Sequence, residues 1–515
     1  MSGPVLTAPA LAEALQRAEW LESQNDLPGA FAAYEAALAI APDSPVVTRR
    51  LANLAFRLGD YELAEKFYIH LLRGAEVDAA LICGYAATLR ELGRCEEAVA
   101  LLKPVIGQNP QIPQLWRALG EALAAQFDRD NALIFYNEAL RLAPDEAAGR
   151  MLRGWLLFEM GHEAEALEDL AAACGRFEDA DDDASAAIAY AQLLLATGDL
   201  TQGWAAYEAR YRYGATQEVH YALWASHWRP GEPLAGRRLL VCAEQGLGDE
   251  ILFASLLPDV LRDLGPEGEL TIAVEPRLVS LFARSFPQAQ VIAHRTQRVD
   301  GLLQRDFPGF DQNLIDLWAL MGDFLSLYRA RITDFPARNV FLTPDPARIA
   351  HWKAVLDGMG GGPKIGVLWK SLKSGARRDP YFAPFAAWCD VLTTPGARFV
   401  NLQYGDTAEE TRLAADWGAP LLTLPGLDVK DDLDDLAAAC RALDLIVAPP
   451  NATSNIAAAS GAPLWLLTTQ RSWPQLGAPN FPWYPTTRVF HTTSPSDWSG
   501  VMAEIRAALI ERRPA

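Results

Sequence analysis

The chain has 515 residues, half of them hydrophobic and 21% charged, which is the balance of a globular protein with roughly two to four domains. Its 45 basic and 65 acidic residues give a formal net charge of −20, which argues against nucleic-acid or anionic-membrane partners. The six cysteines form no C-x-x-C pair and the seven histidines are dispersed, so we expect reduced thiols, no metal ion and no other cofactor.

The N-terminal segment, MSGPVLTAPALAEALQRAEW, lacks the basic start and the long apolar stretch of a signal peptide. No uninterrupted apolar run elsewhere approaches the length of a membrane span. We therefore expect a cytoplasmic protein.

An internal repeat runs from residue 11 to residue 212. Alanine recurs every 34 residues, and an aromatic or aliphatic side chain follows it four residues later, as in the pair Ala30 and Tyr34. Glycine ends the first helix of several units, at Gly59, Gly93 and Gly161. Small residues let two helices approach closely, while the larger side chain fills the gap to the next pair. This pattern resembles the tetratricopeptide repeat and predicts a helical solenoid whose concave surface receives a peptide or a partner protein.

After residue 213 the pattern changes. A connector at 213–237 is followed by short apolar runs that alternate with helical segments. The predicted strands are 239–243, 270–274, 290–293, 365–369, 398–403, 421–424, 445–448 and 464–467. Such alternation predicts parallel sheets, here in two Rossmann-like domains, 238–358 and 359–515, that face each other across a cleft.

Five motifs carry a resemblance to a known family. In chain order they are AEQGLGDEILFASLLP, KIGVLWKS, RFVNLQYGD, LDDLAAACRALDLIVAPPNATSNIAAASGAPLW and FPWYPTTRVF. Placed after a repeat domain, they resemble the bacterial tetratricopeptide-repeat-linked glycosyltransferases, a heptosyltransferase-like family with the GT-B fold that includes flagellin-modifying enzymes. The resemblance covers residues 11–510. It implies an all-α solenoid followed by an α/β GT-B module whose N-terminal half faces the acceptor and whose C-terminal half binds the sugar nucleotide.

The turn in the first motif joins a strand to a helix that begins near Asp249. It lacks the third glycine of a dinucleotide fingerprint, and no acidic residue closes the next strand. Glycine lets backbone approach a ligand closely, and the resemblance implies that Asp249 is the general base. The alternative is that Asp249 caps the helix, and Glu244 and Glu250 are lesser candidates for the base. The expected substrate contacts in the turn are Gln245, Gly246 and Gly248.

A second strand-to-helix turn follows residue 448, where free N–H groups at a helix start suit a phosphate. The candidate donor contacts here are Asn451, Thr453, Ser454 and Asn455, any of which is also able to cap the helix. Related heptosyltransferases carry an aspartate-threonine pair and a histidine at the positions of Pro450, Asn451 and Asn455. This departure indicates either an altered donor or a lost activity.

Basic residues follow the strand at 365–369. Fixed cations stabilise a departing phosphate, and Lys370 matches the phosphate-binding cation of the family. The other candidates are Lys373 and Arg377, with the neighbouring Arg378, and a solvated loop is the alternative for at least one arginine. Gln403, followed by Tyr404 and Asp406, ends the next strand and is expected to meet the nucleoside. No Asp-x-Asp pair lies where a strand meets the cleft, so we expect no metal.

The sequence thus predicts a protein O-glycosyltransferase that moves a sugar from a nucleotide donor to Ser or Thr of an acceptor protein recruited by the solenoid. Within the family, flagellin-like acceptors and CMP-linked nonulosonic acids are the corresponding partners. Two alternatives stay open. One is a non-catalytic scaffold with a degenerate transferase fold, and the other is a transferase acting on a lipid-linked glycan.

Overall fold

Helices fill the N-terminal part of the chain in the computed structural model, which describes residues 8–24, 26–74, 78–177, 180–211, 219–299, 302–371, 381–469, 472–492 and 497–512. The bounds are α1 (Ala8–Ser23), α2 (Leu27–Ile40), α3 (Pro45–Leu58), α4 (Tyr61–Gly74), α5 (Ala79–Glu91), α6 (Cys95–Gln108), α7 (Pro113–Ala125), α8 (Arg129–Leu142), α9 (Ala147–Met160), α10 (Glu163–Ala173), α11 (Ala180–Thr197) and α12 (Leu200–Tyr207). Consecutive helices pack as pairs, and each pair packs on the next. The predicted solenoid is confirmed.

The repeat pattern explains this packing. The alanines that recur every 34 residues are fully buried between the helices of a pair. At Gly120 a Cβ would lie 2.7 Å from the ring of Tyr136, so only glycine lets α7 approach α8 around that ring. Ser44 and Asp78 accept hydrogen bonds from the backbone three residues on and start α3 and α5.

Thirteen strands follow in the described residues. They are β1 (Val219–Tyr221), β2 (Ser226–His227), β3 (Arg238–Cys242), β4 (Glu269–Val274), β5 (Gln290–Ala293), β6 (Arg295–Val299), β7 (Leu302–Asp306), β8 (Leu317–Leu320), β9 (Lys364–Val367), β10 (Arg398–Asn401), β11 (Leu445–Ala448), β12 (Leu464–Thr469) and β13 (Arg488–Thr492). The helices among them are α13 (Leu247–Phe253), α14 (Leu257–Leu264), α15 (Val279–Ser285), α16 (Leu325–Tyr328), α17 (Pro346–Gly358), α18 (Cys389–Leu392), α19 (Ala408–Asp416), α20 (Leu433–Ala442), α21 (Ala452–Ala459) and α22 (Ser499–Glu511).

Two five-stranded parallel sheets result, as predicted. The first sheet has the order β2-β8-β3-β4-β5 and the second sheet the order β10-β9-β11-β12-β13. A small third sheet, β1-β7-β6, contains an antiparallel hairpin that the sequence reasoning missed. The segment 421–424 is not a strand, because Leu422 makes only an isolated bridge to Val400. The connector at 213–237 was not expected to contain strands, yet it contributes β1 to the small third sheet and β2 to the first sheet.

Each five-stranded sheet has a turning point, which is a pair of neighbouring strands at which the order of the strands along the sheet reverses. In the second sheet β9 and β11 are neighbours, with Val367 beside Val447, while their successors lie on opposite sides. In the first sheet the corresponding neighbours are β3 and β8, with Val241 beside Ala319. Open α/β sheets bind ligands at the carboxyl ends of the strands at such points.

The last solenoid helix shares a hydrophobic core with the sheets. Trp204 and Tyr207 of α12 belong to the same buried cluster as Phe253 and Trp483. The indole N–H of Trp204 donates a hydrogen bond to the backbone oxygen of Arg329 over 2.7 Å. The end of the first domain is packed into the core of the module that follows. The domain limits stay a prediction, at 11–212, 213–237, 238–358 and 359–515. Within the described ranges, no helix combines the length and apolarity needed to cross a membrane.

Candidate active site

A cavity of about 580 Å³ lies between the solenoid and the carboxyl edge of the second sheet. Its sheet side consists of residues at and after the ends of β11, β12 and β13, namely Pro449, Pro450, Leu467, Thr468, Thr469 and Thr492. Its solenoid side consists of Arg129, Trp155, Phe158, Glu159 and Gln192, and Tyr381 and Trp473 are among the residues that complete it. The volume falls within the roughly 300–1,000 Å³ of ordinary small-molecule sites. We call this space the transferase cavity, after the activity that we propose for this protein.

The solenoid wall of the transferase cavity carries a compensated ion pair. Arg129 Nε lies 3.3 Å from Glu159 Oε2, and the hydroxyl of Tyr381 donates a hydrogen bond to the other oxygen of that carboxylate. Burial, together with the negative charge of Glu159, raises the pKa of Tyr381 well above its ordinary value. The hydroxyl is therefore neutral, and the solenoid residue Glu159 is tied directly to the second α/β half.

The two turns singled out in the sequence meet each other. Asn455 Nδ2 donates a hydrogen bond to the backbone oxygen of Gly248 over 2.8 Å. A Cβ at Gly248 would lie 3.5 Å from the backbone nitrogen of Ala452, so the start of α13 packs against the start of α21. We call this contact of Gly248 with Asn451, Ala452 and Asn455, together with the adjoining turn residues Gln245 and Gly246, the glycine junction.

Gln245 is strained. Its φ of 58° lies in the left-handed region, which is unfavourable for a residue with a Cβ. Its side chain donates a hydrogen bond to the hydroxyl of Tyr207 over 2.8 Å, which ties the turn to the end of the solenoid. Strained residues of this kind cluster at functional sites.

Asp249 occupies the third position of α13, and its carboxylate accepts a hydrogen bond from the backbone N–H of Gly246, the N-cap residue, which has no side chain of its own to cap the helix. The capping alternative therefore stays open for Asp249, because a carboxylate at the third helical position that bonds the N–H of the N-cap residue forms one half of a capping box. Burial is the main cause that raises its pKa to about 6, and the nearby Glu244 raises it further. A carboxylate with such a pKa is ionised at neutral pH and is a stronger base than an ordinary aspartate.

Asp249 is not among the residues that line the transferase cavity. The connection is indirect, because Trp473 lines the cavity and its ring centroid lies 5.9 Å from that of Tyr207, which bonds Gln245. The candidate base is thus connected to the transferase cavity through the turn at Gln245 and the neighbouring rings of Tyr207 and Trp473.

The polar residues at the start of α21 mostly cap it. Asn451 Oδ1 accepts from Ser454 N over 3.0 Å, and Ser454 Oγ accepts from Asn451 N over 2.8 Å, which is a reciprocal capping box. Thr453 and Ser454 are buried. The capping alternative therefore holds for Asn451 and Ser454. Asn451 Nδ2 is a buried donor that finds no partner among the described residues.

Lys370 and Gln403 turn away from the transferase cavity. The ammonium of Lys370 pairs with the carboxylate of Glu410 on α19 and lies 3.4 Å from the backbone oxygen of Asp406. Gln403 is buried, and its Oε1 accepts 3.0 Å bonds from the backbone of Trp369 and Lys370. Gln403 thus fixes the end of β9. Lys373, Arg377 and Arg378 lie outside the described residues.

Glu250 is poorly suited to the role of base. It is buried and accepts a 2.8 Å hydrogen bond from the backbone of Glu275. Burial raises its pKa to about 8, so the carboxyl is protonated at neutral pH and has no free charge with which to take a proton. Asp249 is the better of the two.

A buried charged cluster at the turning point of the first sheet was not anticipated from the sequence. Arg210 pairs with Glu244 (Nε to Oε2, 3.0 Å) and with Asp323 (Nη2 to Oδ1, 2.5 Å). Asp323 also lies 2.7 Å from His227 Nε2, and Glu244 accepts from the backbone of Gly322 over 2.6 Å. We call Arg210, Glu244, Asp323 and His227 the Arg210 cluster.

The Arg210 cluster connects the solenoid to the glycine junction. Arg210 follows α12 at the end of the solenoid, and Glu244 immediately precedes Gln245. Burial raises the pKa of Glu244, whereas the guanidinium of Arg210 opposes that rise. The only sequence signal was a carboxylate directly after a buried strand, which had marked Glu244 as a lesser candidate.

Comparison with known proteins identifies the chain's relatives. The tetratricopeptide repeat family matches residues 21–82 and 86–147. Protein FlbA of Caulobacter vibrioides (strain ATCC 19089 / CIP 103742 / CB 15) is 43% identical over 492 residues, which cover 95% of this chain and 82% of that protein. The chain belongs to the FlbA family. The similarity to FlbA extends beyond the repeats and through the α/β module.

The solved structures similar to part of this FlbA-family chain include tetratricopeptide repeat proteins. A thermophilic example from Thermus thermophilus is 25% identical, with a TM-score of 0.32, and the match covers 36% of this chain and all of the other. PilF of Pseudomonas aeruginosa is 18% identical, with a TM-score of 0.29, over 40% of this chain and 87% of the other.

Proposed function

We propose that this FlbA-family protein is a metal-independent glycosyltransferase with a GT-B module that transfers a sugar to an acceptor protein recruited by the solenoid. The supporting observation is the transferase cavity. One wall is the carboxyl edge of a parallel sheet at β11, β12 and β13, and β11 is one of the two strands at the turning point, where open sheets bind nucleotides. The other wall is the surface of a repeat solenoid, a fold that binds proteins. A donor and an acceptor bound by these two walls would meet.

In this proposal the acceptor hydroxyl oxygen attacks the anomeric carbon of the donor. The bond from that carbon to the phosphate oxygen breaks, and the nucleotide leaves with the electron pair. Asp249 accepts the hydroxyl proton, for which its raised pKa of about 6 is well matched at neutral pH. Because Asp249 does not line the transferase cavity, the reaction requires movement at the glycine junction.

The leaving phosphate is assigned to the start of α21. Backbone N–H groups at a helix start stabilise an anion, and the partnerless Asn451 Nδ2 adds a donor nearby. Thr453, Ser454 and Asn455 belong to the same turn. Lys370 contributes only if it exchanges the carboxylate of Glu410 for the phosphate. Lys373 and Arg377 are further cations of the same segment.

The acceptor and the sugar follow from the family resemblance of the motifs. They are Ser or Thr of a flagellin-like protein and a nonulosonic acid supplied as its CMP conjugate. The test is incubation of the purified protein and a flagellin with CMP-linked nonulosonic acids, and with UDP- and ADP-linked sugars in parallel. Intact mass of the flagellin and release of free nucleotide are measured. If a flagellin that binds the protein gains no mass with any of these donors, the proposal is contradicted.

A second candidate function is a non-catalytic scaffold. It is favoured by the way the polar groups of the site bond each other, with Asn455 on Gly248, Asn451 on Ser454 and Lys370 on Glu410. A scaffold would show no thermal stabilisation by any nucleotide, since ligand binding raises Tm only when a site exists. Its cellular role would also survive Asp249→Asn, whereas that of an enzyme would not.

A further inference from the structure

A bulky residue, Phe127, stands at a position where three other repeats have glycine. Gly59, Gly93 and Gly161 end helices with φ angles of 80°, 76° and 91°. Phe127 lies 34 residues after Gly93 and 34 before Gly161, and its φ is 61°. The left-handed region is unfavourable for any residue with a Cβ and is a true outlier for a bulky one. Glycine would adopt this backbone conformation at the end of the helix with less strain than phenylalanine does.

The ring of Phe127 lines a second cavity, of about 500 Å³, in the solenoid. The guanidinium carbon of Arg129 lies 5.5 Å from the ring centroid. The other apolar residues lining this cavity are Ala124, Ala125, Tyr136, Met151, Leu152, Trp155, Leu156 and Ala189. We call it the groove cavity. Its surface is mainly aromatic and aliphatic, and Phe127 and Trp155 are partly exposed to it.

The groove cavity adjoins the transferase cavity, because Trp155, Glu159 and Tyr381 line both. The charges around it are paired, Arg90 with Glu121 and Glu159 with Arg129. Because the two cavities share walls, a ligand that extends from one into the other needs a slender, extended shape. It also needs an apolar group at the groove end rather than a charge.

We propose that the groove cavity anchors an apolar side chain of the acceptor, bound as an extended peptide segment whose modified hydroxyl reaches the transferase cavity. The placement of the modified hydroxyl in the transferase cavity rests on the proposed function, whereas the binding of an apolar side chain in the groove cavity does not. Cavities of about 500 and 580 Å³ that share walls have centres on the order of 10 Å apart, and an extended chain advances about 3.3 Å per residue. The anchor therefore lies roughly three residues from the modified Ser or Thr.

The probe is a set of fluorescein-labelled ten-residue peptides with one central Ser or Thr and a single Leu or Phe at varied offset, the other residues being Ala, Gly and Gln. Peptides with the apolar residue about three positions from the hydroxyl should bind at least about 10-fold more tightly than the all-Ala peptide. Affinities that do not depend on the offset overturn the proposal.

The matched variants are Phe127→Gly, Phe127→Tyr and Ile134→Ala, the last removing an exposed apolar side chain of α8 that lines neither cavity. Phe127→Gly should weaken binding of the best peptide about 10-fold while its Tm is unchanged or raised, because the strained backbone relaxes. Phe127→Tyr and Ile134→Ala should bind as the wild type does. Wild-type affinity in Phe127→Gly overturns the proposal.

Failure of the anchor and failure of the proposed function are distinguishable. Peptide affinity is measured without a donor, and donor hydrolysis without a peptide. Phe127 does not line the transferase cavity, so Phe127→Gly should hydrolyse the donor at the wild-type rate if the protein is a glycosyltransferase. Offset-dependent binding in a protein that turns over no donor supports the anchor and contradicts the transferase.

Discussion

Replacing Arg210 by methionine removes the guanidinium that Glu244 and Asp323 share in the Arg210 cluster. The Arg210 side chain is only 6% exposed, and its two partners are 6% and 2% exposed, so water does not compensate for the loss. Breaking a buried ion pair from one side costs about 3–5 kcal/mol, because a buried charge is left without a partner. We expect Arg210→Met to lower the free energy of unfolding of the α/β module by that amount at neutral pH and above.

The loss should depend on pH in a defined direction. The pKa of Glu244 is already raised by burial, and without Arg210 it rises further, since the cation opposed that shift. A carboxyl whose pKa is higher in the folded state than in the unfolded state loses stability as pH rises through its folded pKa. The variant should therefore approach the wild type in acid and fall increasingly below it as the pH increases.

Guanidinium chloride unfolding followed by tryptophan fluorescence at pH 5.5, 7 and 8.5 measures both effects. Arg210→Lys retains a cation and should recover part of the loss. Arg141→Met removes an exposed ion pair of the solenoid and should leave the unfolding curve unchanged. A loss below about 1 kcal/mol in Arg210→Met, or one of equal size at all three pH values, refutes the reasoning.

Other perturbations test the remaining parts of the site. Asp249→Asn should keep the fold and acceptor binding but lower transfer about 100-fold, and wild-type transfer should rise with pH through about 6, measured as initial rates. Lys370→Ala should weaken donor binding about 10-fold by calorimetry if the lysine reaches the phosphate, and Glu410→Gln should strengthen it by freeing the ammonium. If both variants bind donor as the wild type does, the phosphate contact lies elsewhere. A fragment of residues 180–515 should unfold cooperatively, whereas 213–515 should aggregate because it lacks the aromatic residues that α12 adds to the shared core; a well-folded 213–515 would contradict this.

The sequence alone determined the solenoid and seven of the thirteen described strands, and it missed β1, β2, β6, β7, β8 and β13. The 34-residue period is visible because each unit buries side chains at the same positions. The buried strands are visible because the strands of parallel sheets are continuous apolar runs. It also located the strand-to-helix turns after β3 and β11, since such turns have their own composition. The segment 421–424 was misread because a short apolar run does not reveal whether a neighbouring strand is available to pair with it.

Only the tertiary structure decided which residues face each other. Arg210 and Asp323 are separated by 113 residues, and no local pattern signals that one will neutralise the other. Lys370 looks free in the sequence, yet it pairs with Glu410, because α19 brings a carboxylate to the same strand end. Phe127 breaks the glycine pattern in the sequence, but its exposure to a solenoid cavity that Tyr381 of the second α/β half completes depends on how the solenoid docks. Side-chain partners are set by the packing of distant elements, and a single sequence records the elements but not their arrangement.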